Sequence, residues 1–450
     1  MKSRLASRSI LDGSLLFLAA AAGVLFPGKS SATPRPIDSV STNQKRQLIA
    51  EKKGSVVTRP GQVMRLVTDW GDIVIHTHDA PRVDYRVRME TPAGKSTNRA
   101  LPSPLEISAH ATPTGVFLRG QRVHVDPENA ERLWVTLDVT VPRNYSVEAS
   151  TQGGSVQAPD LRGRIMLVTG GGNILVGNVE GSAHLQTTGG HISVKDVSGD
   201  LDAQTGGGHI TVGKVTGWAT LKTGGGHIRA AGIAGQARLE TAGGNISLGS
   251  SSSQLVVETG GGQIDIGEAS GSIRAHTGGG GIRVVSSTGP TQLNSQSGSI
   301  YLSQVVSAVH AQTGSGGITA WLGAEGSRAS PGDLESGNGD IIVYLPSNIA
   351  LTIDATVQAG GPRHIYVDPM LHIKINREIT ANNSGLVRAE AILNGGGEIL
   401  RLKTIEGNIR LLLSDQARQS ILSKEQMDEI EKQVRQQLNA LPKNDMGTEP

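Results

Sequence analysis

This sequence predicts an all-β fold, a single-stranded β-solenoid with eighteen-residue coils, on three observations. A glycine recurs every nine residues, at Gly154, Gly163, Gly172, Gly181, Gly190, Gly199, Gly208, Gly217, Gly226, Gly235 and Gly244. After Ser253 the series resumes at Gly262, Gly271, Gly280, Gly289 and Gly298, and it closes with Ser307 and Gly316. An aliphatic residue recurs every eighteen, at Val156, Ile174, Ile192, Ile210, Ile228, Ile246, Ile264, Ile282, Ile300 and Ile318. The 450 residues include 60 glycines but only 3% aromatics, too few bulky side chains for several ordinary cores. A stack of thin coils needs none, because no interior point is far from backbone.

The coil from Gly208 to Gly225 shows the physics. Each nine-residue half places apolar residues two and four positions after its glycine, Ile210 and Val212, then Ala219 and Leu221, with polar or exposed residues between. That is the period-two alternation of a half-buried strand. The run Thr-Gly-Gly-Gly is a poor helix former and a good turn. Stacked in register, the coils put Ile on Ile and Leu on Leu at about 4.8 Å per coil. Residues 154–322 thus form a regular rod segment about 40 to 45 Å long.

The remaining elements follow in chain order. Lys2, Arg4 and Arg8 precede an apolar run from Leu15 to Phe26, and Ser30-Ser31-Ala32 offers small residues for cleavage. Residues 1–32 therefore read as a signal peptide cleaved after Ala32, the run being short for a transmembrane span. Its removal takes four basic residues and Asp12, so the formal charge of +2 becomes 2 − 3 = −1, which argues against a nucleic-acid partner. No cysteine is present, so a lipid-bearing cysteine is excluded. Residues 33–58 read as a linker with a weak helical tendency near Lys45 to Lys53. Residues 59–153 form an N-terminal strand region with alternation at Met64 to Thr68, Ile73 to Ile75, Val83 to Met89, Leu105 to Ile107, Val116 to Val125 and Leu133 to Val141, and with a surface loop over 91–104. Residues 323–336 break the register as a loop insertion, and coils resume over 337–412.

A second echo runs at a constant offset of 204. Val139-Thr-Val141-Pro142-Arg-Asn144-Tyr-Ser-Val147-Glu-Ala149 matches Val343-Tyr-Leu345-Pro346-Ser-Asn348-Ile-Ala-Leu351-Thr-Ile353. Proline cannot donate to a ladder, so each copy should end one strand and let the next start fresh. Beyond Leu413, Asp415 can cap a helix. Met427, Ile430, Val434, Leu438 and Leu441 then share one helical face, and Pro442 stops it. This amphipathic helix over 413–441 either lies on the solenoid, self-associates or binds a partner; residues 442–450 form a tail.

The T-G-G-G-x-I ladder, the V-P-x-N elements and the closing Asn394-Gly-Gly-Gly-Glu-Ile399 to Leu411 stretch resemble the bacterial β-strand-repeat adhesin-like family, whose function is largely unassigned. The resemblance covers about residues 60 to 412. It implies an envelope or secreted β-solenoid, and it transfers no catalytic residues.

Candidate chemistry is limited. His191, His209 and His227 share one slot in successive coils, flanked by Asn173 and Asn245. Two imidazoles could pinch a metal, but Ser193, Thr211 and Arg229 beside them supply no carboxylate, so a polar ladder is the better reading. Glu240 and Glu258 stack at a spacing like that of a retaining glycosidase pair. Lys222 and His276 flank them, which reads as a charge-compensated solvated column. The aspartate that a calcium β-roll needs is replaced by Ile192, Ile210 and Ile228, and the glycine runs lack the Lys-Ser/Thr of a phosphate loop.

No catalytic, cofactor-binding or metal-binding residue is assigned. The expected function is that of an exported, non-enzymatic, adhesin-like or envelope-associated solenoid, periplasmic or at the cell surface, whose partner the sequence does not name. The alternative is a polysaccharide lyase or glycosidase on a β-helix. End-to-end polymerisation of the bactofilin kind is opposed by the signal segment and the terminal helix.

Overall fold

A computed structural model describes residues 46–92, 105–122, 133–323, 332–359, 364–371, 374–380 and 386–414. The signal segment, residues 93–104 of the expected surface loop, most of the 323–336 insertion and the helix expected from residue 415 lie outside the described residues.

The body is a β-solenoid, as the repeats require. Two parallel sheets face each other across one continuous core. In the first, the isoleucine sheet, each strand of the regular coils pairs with the strand eighteen residues later: Ile192 with Ile210, Ile210 with Ile228, Ile228 with Ile246. In the second, the threonine sheet, Leu185 pairs with Ala203, Ala203 with Leu221, and Leu221 with Leu239. The inward column from Val156 through Ile318, continued by Ile341 and Ile409, is fully buried. One residue per coil thus meets its own kind above and below, so aliphatic side chains alone build this column.

A second inward column was not expected from the sequence. Thr187, Thr205, Thr223, Thr241 and Thr259 close the threonine-sheet strands and are buried. Each hydroxyl donates to the last glycine carbonyl of the previous coil's turn and accepts from the third glycine of its own. Thr205 Oγ1 donates to the Gly190 carbonyl (2.7 Å), and the Gly208 amide donates to Thr205 Oγ1 (3.2 Å). The same bond recurs from Thr151 to Gly71 and from Thr404 to Gly339. Burying a hydroxyl is tolerated because both its capacities are used. This is why threonine precedes the glycine triplet.

Three expectations change. First, the ends of the stack are not single-file. Strands β1 (Arg46–Val57), β2 (Val63–Thr68), β3 (Asp72–His78), β4 (Arg82–Pro92), β5 (Leu105–Thr112), β6 (Gly115–Arg122), β7 (Trp134–Pro142), β8 (Ser146–Thr151) and β9 (Val156–Ala158) open the fold. They stack as β1-β4-β7-β3-β9 in the isoleucine sheet and β5-β6-β2-β8 in the threonine sheet. The coil made of β2 and β3 is therefore clamped between the β6–β7 coil and the β8–β9 coil. At the other end the last coil, Ile399–Thr404 and Ile409–Leu413, is clamped between Gly332–Ser336 with Ile341–Leu345 and Leu351–Val357 with Ile365–Val367. The 204-residue echo marks the two crossings. From β7 to β8, and from Ile341–Leu345 to Leu351–Val357, the chain skips over the clamped coil, Pro142 and Pro346 end the outgoing strands, and Tyr145 and Ile349 plug the core beneath each crossing.

Second, residues 46–57 of the expected linker are strand β1, paired antiparallel along β4. Local helical tendency loses here to the long ladder that β4 offers. The charges of Arg46, Glu51, Lys52 and Lys53 on this outer strand suit an edge that must not recruit another chain. Third, the register of the threonine sheet resumes within the insertion, at Gly332–Ser336. The Asn394-Gly-Gly-Gly element is also not another stacked turn. Asn394, Gly395 and Gly396 take positive φ, and the Asn394 amide donates to the Ser347 and Ile349 carbonyls (2.9 and 2.8 Å).

Candidate functional site

Three outward-facing constellations could carry chemistry, and each is built by coil stacking. The histidine column comes first. Just before the isoleucine-sheet strands from Val156 to Ile264, the side chain in the same slot of the adjoining coil accepts from the backbone N–H. Asn173 Oδ1 accepts from His191 N (2.8 Å), His191 Nδ1 from His209 N (2.8 Å) and His209 Nδ1 from His227 N (2.9 Å). His227 Nδ1 then accepts from Asn245 N (2.8 Å), and Asn245 Oδ1 from Gln263 N (3.0 Å). Asp72 and Ser155 begin the same relay, and Asp340 with Asn408 ends it. Asp, Ser, Asn and His fill the acceptor slot where the relay runs, and Gly281 and Gly317 interrupt it.

The imidazoles stack nearly parallel, with centroids 4.9 Å apart at both steps. Two zinc–nitrogen bonds of about 2.1 Å span about 4.2 Å at most, so parallel rings at this spacing must leave the stack to share an ion. Their Nδ1 atoms are already engaged. Among the described residues no group of three or more His, Cys, Asp or Glu is placed to hold a metal. The polar-ladder reading of His191, His209 and His227 thus has a specific geometric basis.

This ladder has a pH consequence. His209 is held below the usual imidazole value, first by partial burial and then by its neighbours His191, His227 and Arg229. A folded value below the unfolded one means that the unfolded chain takes up protons first as pH falls. The stabilisation is complete above the unfolded value of about 6.5 and is lost as pH falls through the folded value. The melting temperature should therefore drop more steeply between about pH 7 and 5 in the wild-type chain than in His209→Asn, which keeps an acceptor in the slot. Parallel pH profiles for the two proteins would show that His209 does not act this way.

The glutamate column lines a shallow concavity of about 530 Å³ with Lys222 and His276. Glu240 and Glu258 are register neighbours. Lys222 Nζ lies 2.7 Å from Glu240, Arg238 contacts the other Glu240 oxygen, and Arg238 also reaches Glu258 at 3.6 Å. Burial raises the Glu240 carboxyl, but the Lys222 and Arg238 interactions outweigh it and leave the net value below the ordinary one. A glycosidase acid needs the opposite, a carboxyl kept protonated near neutral pH. Glu240 is instead the hub of an ion-pair ladder.

The third constellation is one that sequence reasoning missed. A concavity of about 700 Å³ on the outer side of β1, β4, β7 and β3 is lined by Lys53, Ser55, His76, Asp84, Tyr85, Arg88 and Asp138, among others. Arg88 binds Asp138 through two nitrogens (2.9 and 3.3 Å), and His76 approaches the same carboxylate at 3.7 Å. Arg82 and His78 approach Asp84 in the same manner. Burial raises the Asp138 carboxyl, yet His76 and Arg88 together leave it below its ordinary value. The alternation of β4 and β7 shows which residues point outward. That β7 lies between β4 and β3 is a matter of topology and leaves no local signal. The charges in this cluster are paired, and nothing in it is poised as nucleophile and base.

Comparison with known proteins adds the family. A family model described as Toastrack DUF4097 matches residues 67–343, more than half of the chain. No curated protein matches. Among solved structures, the chain is similar to a "putative cell adhesion protein" from Clostridium sporogenes, with 8% identity over 81% of this chain and 100% of that one and a TM-score of 0.17. It is also similar to a "putative adhesin" from Bacteroides fragilis, with 13% identity over 66% and 97% and a TM-score of 0.22. At these TM-scores neither likeness carries an argument. The family match spans the glycine and isoleucine ladders that build the fold, and the chain belongs to the Toastrack DUF4097 family.

Proposed function

We propose that this chain is an exported, non-catalytic solenoid that presents its stacked outer faces to an envelope or extracellular partner, in the manner of an adhesin. One observation carries this reading: each polar column that resembles chemistry is spent on coil-to-coil contacts. The imidazole Nδ1 atoms cap backbone amides, Glu240 is held by two cations, and the threonine hydroxyls tie the turns. What remains outward is an extended, repeating surface with open concavities, suited to broad multivalent contact rather than to enclosing a small molecule. The basic, apolar and small-residue regions of residues 1–32 support export to the periplasm or cell surface.

The test combines binding with turnover. Purified mature protein is assayed on uronic-acid polysaccharides, peptidoglycan and ester substrates, and its retention on cell envelopes is titrated. Saturable retention without turnover is the expected result. Turnover that Glu240→Gln or Glu258→Gln abolishes would replace this reading with the polysaccharide-active enzyme.

A further inference from the structure

The described residues hold few aromatics, yet Tyr301, Trp321, Tyr344 and Tyr366 gather on the outer side of the isoleucine sheet in its last coils. Register sets them together: Tyr301 beside Thr319, Thr319 beside Ile342, Trp321 beside Tyr344, and Tyr344 beside Leu412. Ile342 also neighbours Arg410, which neighbours Tyr366. The Trp321 and Tyr344 rings stack at 4.6 Å and 3°. Tyr301 remains 43% and Tyr366 52% exposed. Earlier on this face the same column reads Ser193, Thr211, Arg229, Ser247 and Asp265. The aromatic patch is thus a local departure from a polar surface, and such departures mark contact sites.

We propose that the occupant is this chain's own segment 415–441, folding back as an amphipathic helix whose stripe Met427, Ile430, Val434, Leu438 and Leu441 covers Tyr301, Trp321, Ile342, Tyr344, Leu412 and Tyr366. The segment begins at the patch, since Leu412 belongs to it and the strand ends at Leu413. As a helix its 27 residues would extend about 40 Å. The patch crosses five strands, about 20 Å at the usual spacing, so the reach is ample. Arg283, whose guanidinium lies over the Tyr301 ring, borders the patch, and Arg410, which also reaches Asp340, lies within it between Ile342 and Tyr366. The stripe and the patch each need apolar cover, and each is the nearest candidate to supply it.

The experiment uses the full chain. A photo-crosslinking p-benzoylphenylalanine replaces Tyr366, and after illumination the products are mapped by mass spectrometry. Expected are intramolecular crosslinks into 415–441 at a yield independent of protein concentration, lost in a Val434→Asp, Leu438→Asp double variant. Because the chain has no cysteine, Thr319→Cys with Leu438→Cys gives a second readout, an intramolecular disulfide under mild oxidation. Crosslinks joining two copies with a yield that rises with concentration overturn the proposal. So do crosslinks that never reach the segment, or a crosslink pattern unchanged by the double variant.

Discussion

Gly208→Ala should destabilise the solenoid severely, while Gly207→Ala, one residue earlier, should be nearly silent. A Cβ at Gly208 would be driven into the carbonyl oxygen and carbon of Gly190 and crowd the His191 amide, all backbone of the preceding coil. Backbone cannot swing aside as a long side chain can, so the coils must part where Thr205 and the histidine relay hold them together. The cost is at the upper end of the overpacking range, about 3 kcal/mol or more. A Cβ at Gly207 meets nothing within 4 Å, and its φ is not in the left-handed region, so its effect should stay within about 0.5 kcal/mol. Thermal melts followed by circular dichroism separate the two. Equal losses would mean that the triplet is needed for flexibility rather than for close approach of coils.

Ile210→Asp should be the most damaging single change on the isoleucine face. Ile210 is fully buried between Ile192 and Ile228. Removing it forfeits about 1.5 to 3 kcal/mol of burial, and an unpaired carboxylate in that column adds a further cost of several kcal/mol. Thr211, which the alternation places outward, is not a fair control because it is only 7% exposed. Thr220→Asp is better. Thr220 is a half-exposed outward residue between Asp202 and Arg238, and an added carboxylate there has one cation and one anion for neighbours. Its melting temperature should change little. Matching losses in Ile210→Asp and Thr220→Asp would refute the assignment of faces.

The regular coils were legible because their physics is local and repeated. A glycine where backbones touch, an isoleucine where side chains stack and a strand between them recur at one period, and stacking in register needs nothing more. The threonine column was less legible, since threonine in a strand reads as an outward residue until its two turn partners are seen. The clamped end coils were illegible for a different reason. Nothing in Val63–Thr68 or Ile399–Thr404 says which distant strands will flank it, because pairing across 83 or 68 residues is decided by the whole stack. The 204-residue echo was the one trace of that topology, visible before its meaning was. As for sites, the His191, His209 and His227 column could be seen in the sequence, but only the direction of Nδ1 toward the next coil's amide tells a ladder from a ligand set.

The clamped coils also bear on how the molecule would answer a mechanical load. A stack threaded in simple order offers its last coil to any pull on the chain, and it peels one ladder at a time. Here the strand that ends at Leu413 is held on one side by Ile341–Leu345 and on the other by Ile365–Val367. Tension arriving from residue 414 onward must shear both ladders together. At the opposite end β3 sits likewise between β7 and β9. A load applied at both ends would on this geometry open the one-sided β1 ladder before it drew out the clamped coil that ends at Leu413.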